Sequence, residues 1–362
     1  MDKINLLDLT LNQLETFFVS IGEPKFRAKQ VFRWVHVYGV IDFNSMTDIA
    51  KSLQTKLNDI AYICIPEIYS EHVSSDGVIK WVLKVDSLNK IETVFIPEDN
   101  RGTLCVSSQV GCALECQFCS TGRQGFNRNL STGEIISQLW IANKKLRSNY
   151  KSDKVITNVV FMGMGEPLAN YNNVLNAITI MLDNNAYNLS KRKLTLSTSG
   201  VIPGINKLRD DCPVSLAISL HASNDVVRNE IIPLNKKYPI VQLIDTCRSY
   251  IKSSPKNYIT FEYVMLKGVN DNLEYAKELI DLVQGLPSKF NLIPFNSFPN
   301  SGFESSSRNQ IVKFQRILQE AGLITTIRKT RGDSIDAACG QLVGNVKDKT
   351  KRQEKWGTIK II

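Results

Sequence analysis

The chain has 362 residues, enough for about two domains, and its 43% hydrophobic and 22% charged residues are typical of a folded globular protein. No apolar run approaches the roughly 18 residues of a transmembrane helix, and the N-terminus lacks the pattern of a signal peptide. We therefore expect a cytoplasmic protein without membrane contact, whose eight cysteines do not form a disulfide framework. The net charge of +9 is concentrated in residues 308–362, where twelve Lys/Arg face five Asp/Glu, and this favours a phosphate-rich partner.

Residues 1–62 predict a helical N-terminal accessory domain, because apolar residues recur there with a period near 3.6. Gly22 and Gly39 separate its helices, and Ser45 is the predicted N-cap of the third helix. Residues 63–97 change to strand composition with a turn at 75–77, which predicts a β-strand linker or extension.

Residues 98–335 alternate between apolar strand-like runs and amphipathic stretches such as 132–146 and 273–283. This alternation is typical of βαβ units around a parallel sheet. The strand candidates are 103–108, 155–162, 193–198, 214–220, 259–265, 289–294 and 323–328. We predict an α/β fold with a partial (β/α)6-type barrel that carries its functional residues at the carboxyl ends of the strands. A C-terminal loop and basic tail follow at 336–362.

Three cysteines stand within eight residues, at Cys112, Cys116 and Cys119, in a CxxxCxxC pattern. A loop of this length can place three thiolates around one centre. A four-iron cluster normally takes four cysteine ligands, so three leave one iron open to a small molecule. Structural zinc sites prefer four ligands, commonly in two CxxC pairs, and the sequence has no second pair. Zinc binding and chance burial are the alternatives.

The CxxxCxxC motif, with Phe118 before its last cysteine, resembles the radical S-adenosylmethionine (SAM) superfamily. In that superfamily the open iron is chelated by SAM, and one electron then cleaves the sulfonium to give a 5′-deoxyadenosyl radical. The resemblance implies one [4Fe–4S] cluster on the three cysteines and SAM contacts at the ends of later strands. The implied SAM-binding residues are Gly165, Glu166, Ser197, Ser219, Leu220, His221 and Asn296.

Five segments together closely resemble the RlmN-type rRNA/tRNA adenine-C2 methyltransferases. They are CVSSQVGCALECQFCSTGRQGFNRNL, FMGMGEP, LSTSG, SLHA and DAACGQL. The resemblance implies that Cys339 carries the methyl group as S-methylcysteine, that Cys105 forms a transient disulfide with Cys339, and that Glu92 accepts a proton. The cations at 328–331 are expected to favour the Cys339 thiolate. Radical chemistry also suits the target, because carbon 2 of adenine is neither a useful nucleophile nor an acid.

The resemblance implies two RNA substrates, 23S rRNA in the peptidyl-transferase region and tRNA beside the anticodon. Residues 1–62 resemble the RNA-binding accessory domain of the family, although 1–60 carry no net charge. We therefore expect phosphate contacts elsewhere. The expected contacts are Arg101, Arg123, Arg128, Lys349, Lys351 and Arg352. A flavodoxin or ferredoxin is the expected electron donor, and a monomer is the expected state.

Three alternatives remain open at this point. The first is a Cfr-like enzyme, which methylates carbon 8 of the same rRNA adenosine. The second is a cluster-containing RNA-binding or redox-sensing protein without catalysis, for which two further thiols and a GxGE motif are superfluous. The third is a zinc-binding module.

Overall fold

The computed structural model describes residues 3–149 and 155–356. The predicted tail therefore lies outside the described residues from position 357 onward. The strands are β1 Ile4–Asn5, β2 Ala61–Tyr62, β3 Glu67–Val73, β4 Ile79–Lys84, β5 Lys90–Glu98, β6 Arg101–Cys105, β7 Gln109–Gly111, β8 Phe126–Asn129, β9 Asn158–Phe161, β10 Leu194–Thr198, β11 Ser215–Ser219, β12 Ile259–Met265, β13 Ser288–Pro294 and β14 Ile324–Ile327.

The helices complete the described elements. They are α1 Leu11–Ser20, α2 Lys25–His36, α3 Lys51–Ile60, α4 Ser120–Gln124, α5 Thr132–Asn149, α6 Tyr171–Leu182, α7 Ile202–Asp211, α8 Asp225–Ile231, α9 Ile240–Tyr250, α10 Leu273–Leu282, α11 Arg308–Glu320 and α12 Arg352–Trp356. None of the helices in the described residues is both long enough and apolar enough to cross a bilayer.

One ten-stranded sheet runs in the order β14-β13-β12-β11-β10-β9-β6-β5-β4-β3. The strands from β6 to β14 in this order are all parallel. The three strands β3, β4 and β5 continue the sheet in antiparallel fashion. The predicted α/β fold is therefore confirmed, and the sheet is open, with β14 at one edge and β3 at the other. Because their carboxyl ends meet at one edge, the parallel strands bring the loops that follow them together.

The N-terminal helices pack onto the same core as the barrel helices. α1 begins with a capping box, in which the Thr10 side chain accepts from the Gln13 backbone and Gln13 returns a hydrogen bond to the Thr10 backbone. The prediction for the third helix was wrong at its start. Ser45 lies in a separate 3-10 turn, where its hydroxyl donates to Asp42, and α3 begins only at Lys51.

The predicted hairpin at 75–77 is present between β3 and β4. Gly77 has a φ of 81°, a left-handed conformation that favours glycine. The next turn leads β5 into β6, the first strand of the parallel set. At Gly102 a Cβ atom would lie 2.0 Å from the Val155 carbonyl oxygen, so glycine lets the 155–157 segment lie directly against β6.

Candidate active site

The three predicted ligand cysteines line one cavity at the carboxyl edge of the sheet. They lie on residues 112–119, which we call the cysteine loop, between β7 and α4. Burial raises the pKa of each thiol, to about 12 for Cys116, and charge on neighbouring cysteines adds to the shifts at Cys112 and Cys116. The three thiols are thus near neighbours that need a cation or a metal centre to stabilise their ionised forms.

In residues 3–149 and 155–356, no group of three or more His, Cys, Asp or Glu side chains forms a site for a single metal ion. In a multi-iron cluster each cysteine thiolate binds a different iron atom, so three thiols on one loop are suitable ligands for such a centre.

Glu166 follows β9 and lines the same cavity. Its carboxylate accepts from the backbone N–H of Ser199 at 2.9 Å and of Leu168 at 3.1 Å. Burial raises the pKa of Glu166, and these hydrogen bonds oppose the rise. The carboxylate thereby links the loops after β9 and β10.

The two glycines of the GMGE motif lie so close to other backbone and side-chain atoms that a Cβ would not fit at either position. A Cβ at Gly163 would lie 2.7 Å from the Val106 backbone, and one at Gly165 would lie 2.5 Å from Gln109 Cβ. These positions still line the cavity. The small residues therefore allow the loop after β9 to pack against the chain that follows β6.

The predicted residues of β10 and β11 reach the cavity, with one exception. Ser197, Ser219 and His221 line it. Leu220 is fully buried in the apolar core and is absent from the cavity lining, so its side chain does not face a ligand there. The carbonyl of Leu220 is also occupied, because it accepts from Arg228 Nε at 2.9 Å.

His221 has a φ of 58° and is buried beside Phe118, with their ring centroids 4.6 Å apart. Its Nδ1 accepts from the Val264 backbone N–H at 2.9 Å. Burial lowers the pKa of His221 to about 3, so the ring is neutral near pH 7. We assign its proton to Nε2, because Nδ1 acts as an acceptor.

Cys339 lies on residues 336–344, which we call the Cys339 loop, and it lines the same cavity as the three other cysteines. α4 holds this loop by a series of hydrogen bonds. Ser120 N donates to Gly340 O at 2.8 Å, Thr121 Oγ1 to Leu342 O at 2.5 Å and Gln124 Nε2 to Gly344 O at 3.0 Å. The short helix that follows the cysteine loop therefore also places Cys339.

Asn296 lines a neighbouring cavity that shares Cys339 and Arg328 with the first. Its Nδ2 donates to the Cys339 carbonyl at 3.1 Å, and its Oδ1 accepts from Thr330 at 3.2 Å. Asn296 thus contacts the loop that carries Cys339.

Arg328 and Glu262 form one wall of the cavity. Their closest side-chain atoms are 3.8 Å apart, and Arg328 Nη1 also lies 4.0 Å from Met162 Sδ. Glu262 is 4% exposed, and its Oε1 accepts from Asn291. Its Oε2 has no hydrogen-bond partner within the described residues. A buried, unsatisfied carboxylate oxygen at a cavity offers an acceptor to a donor on a bound molecule.

Arg328 favours the Cys339 thiolate, as expected of the nearby cations, but burial outweighs its effect on the pKa of the thiol. Cys339 is reached by solvent, but the surrounding protein atoms raise the pKa of its thiol, and Arg328 only opposes that rise. Cys105 lies on β6 and is nearly fully buried, and burial together with charge on Cys339 raises its pKa to about 12. The two thiols are therefore close enough to interact electrostatically.

Glu92 forms a buried ion pair on the antiparallel side of the sheet. Its carboxylate lies 3.3 Å from Lys80 Nζ, and the two side chains are 1% and 3% exposed. The other oxygen accepts from the Val343 backbone at 3.1 Å, and Lys80 Nζ lies 3.5 Å from the Asp336 carbonyl. Burial raises the pKa of Glu92, and Lys80 opposes this shift. The pair therefore contacts both ends of the Cys339 loop.

Sequence reasoning missed Arg228, which is 1% exposed. Its guanidinium donates to the carbonyls of Ser199, Ser219 and Leu220 at 2.8–3.0 Å and to Asn235 at 2.7 Å. It therefore fixes the ends of β10 and β11. Its short helix carries no motif that marks an arginine as buried.

Three of the arginines predicted to contact phosphate have side chains that bind protein groups in this structure. Arg123 is buried and donates to the carbonyls of Gln117, Asn300 and Ser301. Arg128 forms ion pairs with two carboxylates, Asp86 at 3.0 Å and Glu134 at 2.7 Å.

Arg352 is the third, and it donates to three carbonyl groups of the cysteine loop and to a fourth in α4. Arg101 is half exposed and pairs with Glu98 at 2.6 Å. Lys349 and Lys351 are exposed and stay candidates for phosphate contact.

Comparisons with known proteins agree with this geometry. Residues 4–63 match the model of the ribosomal RNA large subunit methyltransferase N-terminal domain, and residues 106–283 match the radical SAM superfamily model. The crystal structure of a radical SAM methyltransferase from Sphaerobacter thermophilus is 40% identical, with a TM-score of 0.88. The match covers 94% of this chain and 99% of that one.

This chain belongs to the RlmN-type radical SAM methyltransferases. It therefore uses a [4Fe–4S] cluster and SAM, and the cavity fits both groups. One loop contributes three thiols, and Glu262 and Glu166 add carboxylates that suit the amino and hydroxyl donors of SAM.

Two other solved structures are more distant. A domain of a pyruvate-formate lyase-activating enzyme from Bacteroides vulgatus is 16% identical, has a TM-score of 0.36, and the match covers 48% of this chain and 99% of that one. SuiB from Streptococcus suis is 16% identical, has a TM-score of 0.42, and the match covers 63% and 49%.

Proposed function

We propose that this enzyme methylates carbon 2 of an adenosine in the peptidyl-transferase region of 23S rRNA, and of the adenosine beside the anticodon in tRNA. The observation that carries the proposal is the shared cavity, which Cys339 lines together with the three thiols of the cysteine loop. An RNA-modifying role agrees with the N-terminal match to a ribosomal RNA methyltransferase domain at residues 4–63.

We assign the cluster to Cys112, Cys116 and Cys119, and SAM to the polar groups at the strand ends. The assigned SAM contacts are Gly165, Glu166, Ser197, Ser219, Leu220, His221 and Asn296. Leu220 contributes at most through its backbone, since its side chain lies in the core. When bound, the cluster and SAM supply an electron and a 5′-deoxyadenosyl radical.

Cys339 is the proposed methyl carrier. Its sulfur takes the methyl group of one SAM, the carbon–sulfonium bond breaks, and the thiol proton leaves to solvent. After a hydrogen atom is removed from this S-methyl group, its carbon bonds to carbon 2 of the adenine. Burial raises the pKa of Cys339, and the positive charge of a nearby SAM would oppose that rise together with Arg328.

Release of the RNA then requires two further residues. Glu92 is the proposed acceptor of the carbon-2 proton, and burial has already raised its pKa, which makes it a better base. Cys105 is the proposed resolving thiol. Its sulfur bonds to the Cys339 sulfur, the bond from Cys339 to the methylene carbon breaks, and that carbon takes up a proton. The one unpaired electron that remains from the hydrogen-atom removal is released, and the oxidised cluster would be its acceptor. Both cysteines must be reduced again before the next cycle.

The target base must leave its stack to reach the cavity, which costs least for an unpaired nucleotide. We therefore expect loops of RNA as substrates. We further propose that a flavodoxin or ferredoxin delivers the electron, and that the enzyme acts as a monomer in the cytoplasm.

The test is anaerobic reconstitution followed by reaction with rRNA and tRNA transcripts. Mass spectrometry of the digested RNA is expected to find 2-methyladenosine in both, and none with Cys339→Ala. A methyl group on carbon 8 would replace the proposal with the Cfr-like alternative. RNA without any methylated adenosine, from protein that holds its cluster and cleaves SAM, would contradict both.

A further inference from the structure

The basic C-terminal segment binds the backbone carbonyl groups of the cysteine loop. Arg352 Nη1 donates to the carbonyl oxygens of Cys112 and Leu114, both at 2.9 Å, and of Gly122 at 3.1 Å. Its Nη2 donates to Ala113 at 3.0 Å. One guanidinium therefore donates hydrogen bonds to the three successive backbone carbonyls of residues 112–114 and to a fourth carbonyl in α4.

Residues 347–355, which we call the C-terminal clasp, make further contacts around this arginine. Lys355 and Arg352 lie 3.1 and 3.7 Å from the Glu115 carboxylate. Gln353 donates to the Gln124 carbonyl at 3.1 Å, and Asp348 accepts from the Phe126 backbone at 3.2 Å. The clasp thus follows the cysteine loop and α4 from one end to the other.

The loop needs these contacts because it lacks a strand partner. Between β7 and α4 its backbone belongs to no helix or strand, and carbonyls without a partner are unfavourable when buried. A guanidinium presents five donors in a fixed planar fork, which a lysine cannot reproduce. The cysteines line the cavity and Arg352 does not, so the arginine acts from the side away from the bound groups.

The charge of Arg352 has a second consequence. Net charge and hydrogen bonding around an iron–sulfur cluster set its reduction potential. Arg352 is 13% exposed, so water screens its charge only partly. A cation held against the backbone of the ligand loop stabilises the reduced, more negative cluster.

We propose that Arg352 is a positioning residue, which shapes the cysteine loop for cluster binding and raises the reduction potential of the cluster. The proposal rests on the assignment of the cluster to Cys112, Cys116 and Cys119. Only residues 345–346 separate the Cys339 loop from the clasp, so one C-terminal segment carries the proposed methyl carrier and contacts the loop of the proposed cluster ligands.

The test compares Arg352→Gln, Arg352→Lys and the control Lys351→Gln, which removes the same charge from an exposed neighbour. In the metal-free chain, we expect hydrogen exchange at the amides of 112–124 to rise at least tenfold in both Arg352 variants. After anaerobic reconstitution, we expect the cluster of Arg352→Gln to bleach in air several-fold faster than that of wild type and to have a lower midpoint potential. Arg352→Lys retains the charge, so its potential is expected to stay closer to that of wild type.

If Arg352→Gln showed the same hydrogen-exchange and cluster-bleaching rates as wild type, the positioning role would be overturned. If Arg352→Gln carried a full cluster with an unchanged midpoint potential, the electrostatic role would be overturned. If circular dichroism shows that Arg352→Gln is unfolded, Arg352→Lys carries the positioning test. If the midpoint potential of the cluster in Arg352→Lys matched that in Arg352→Gln, the electrostatic role of the arginine would be refuted. Wild-type protein without iron would instead refute the cluster assignment, and exchange in the metal-free chain would still decide whether the clasp orders the loop.

Discussion

Cys105 and Cys339 come from distant parts of the sequence, and charge on Cys339 contributes to the raised pKa of Cys105. If Cys105 releases the product from Cys339, then Cys105→Ala stops the reaction after the carbon–carbon bond has formed. We expect a covalent protein–RNA adduct that is visible as a retarded band on a denaturing gel. Cys64→Ala, which alters an exposed cysteine, is the control and is expected to release RNA normally. Free methylated RNA without an adduct would remove Cys105 from the mechanism.

The Lys80–Glu92 pair provides a prediction about stability and pH. In Lys80→Met the buried carboxylate loses its cation, so the pKa of Glu92 rises further above that of the unfolded chain. A raised folded-state pKa gives stability that is present at low pH and is lost as pH rises. We expect the variant to lose about 3–5 kcal/mol of unfolding free energy at pH 8 and clearly less at pH 5, as measured by urea denaturation.

The matched control is the double variant Lys80→Met/Glu92→Gln. It has no buried charge at this position, so its loss of stability is expected to be nearly independent of pH. An equal loss at pH 5 and pH 8 in Lys80→Met alone would show that the ion pair does not set the charge of Glu92.

At the residue level, nine of the thirteen site residues predicted from the sequence line the cavity, because chemistry-bearing residues there follow strands in recognisable motifs. The sequence did not reveal the protein partners of the arginines. Arg123, Arg128 and Arg352 are surrounded by acceptors that lie far away in the sequence or in the backbone, and no local pattern distinguishes them from solvated cations. The Lys80–Glu92 pair follows from the strand register. Glu92 on β5 lies opposite Val82 on β4, and Lys80 is two residues from Val82, on the same face of β4.

The elements were predicted best where periodicity was long. The amphipathic stretches at 132–146 and 273–283 correspond to α5 and α10, and each of the seven strand candidates contains part of an observed parallel strand. The start of α3 was missed, because Ser45 satisfies the local preference for a capping residue within a separate turn instead. The clasp helix α12 lacks an apolar periodic pattern, and its bonds to the cysteine loop are tertiary.

β6 carries the element-level prediction, because Gly102 lies directly against the 155–157 segment and the Phe95 ring. In Gly102→Ala the new methyl group forces these apart, and we expect a loss of about 1–3 kcal/mol in unfolding free energy. Urea denaturation measures this loss. Thr103→Ala, on the same strand, is the control and is expected to lose less. Equal losses in the two variants would show that the close contact at Gly102 is not required.

At the scale of the whole molecule, the parallel strands of the sheet end at one edge, and the loops that follow them line the cavity of the proposed chemistry. The order of its strands follows the sequence from β9 to β14, as local βα units predict, while the attachment of β5 beside β6 depends on a hairpin. The loops carrying Cys112 and Cys339 meet through α4, and that long-range contact had no signal in the sequence.

RNA binding is a property of the whole surface, and its salt dependence tests which cations contact phosphate. Lys349 and Lys351 are exposed, whereas Arg352 is held by the cysteine loop. We expect Lys349→Gln/Lys351→Gln to reduce the slope of log K against log[salt] by about 0.7–0.9 for each lost phosphate contact. Lys313→Gln, on the exposed side of α11, is the control. An unchanged slope in the double variant would place the RNA on another face.

The central claim is that the methyl group passes through Cys339 before it reaches RNA, and isotope labelling tests it most directly. Protein treated with SAM that carries a trideuterated methyl group is freed of SAM, supplied with unlabelled SAM, an electron donor and RNA under anaerobic conditions, and analysed by mass spectrometry. We expect the label first on the Cys339 peptide and then on adenosine, with one deuterium replaced by hydrogen. Label that never appears on Cys339, or first-turnover RNA that carries only unlabelled methyl groups, would contradict the account.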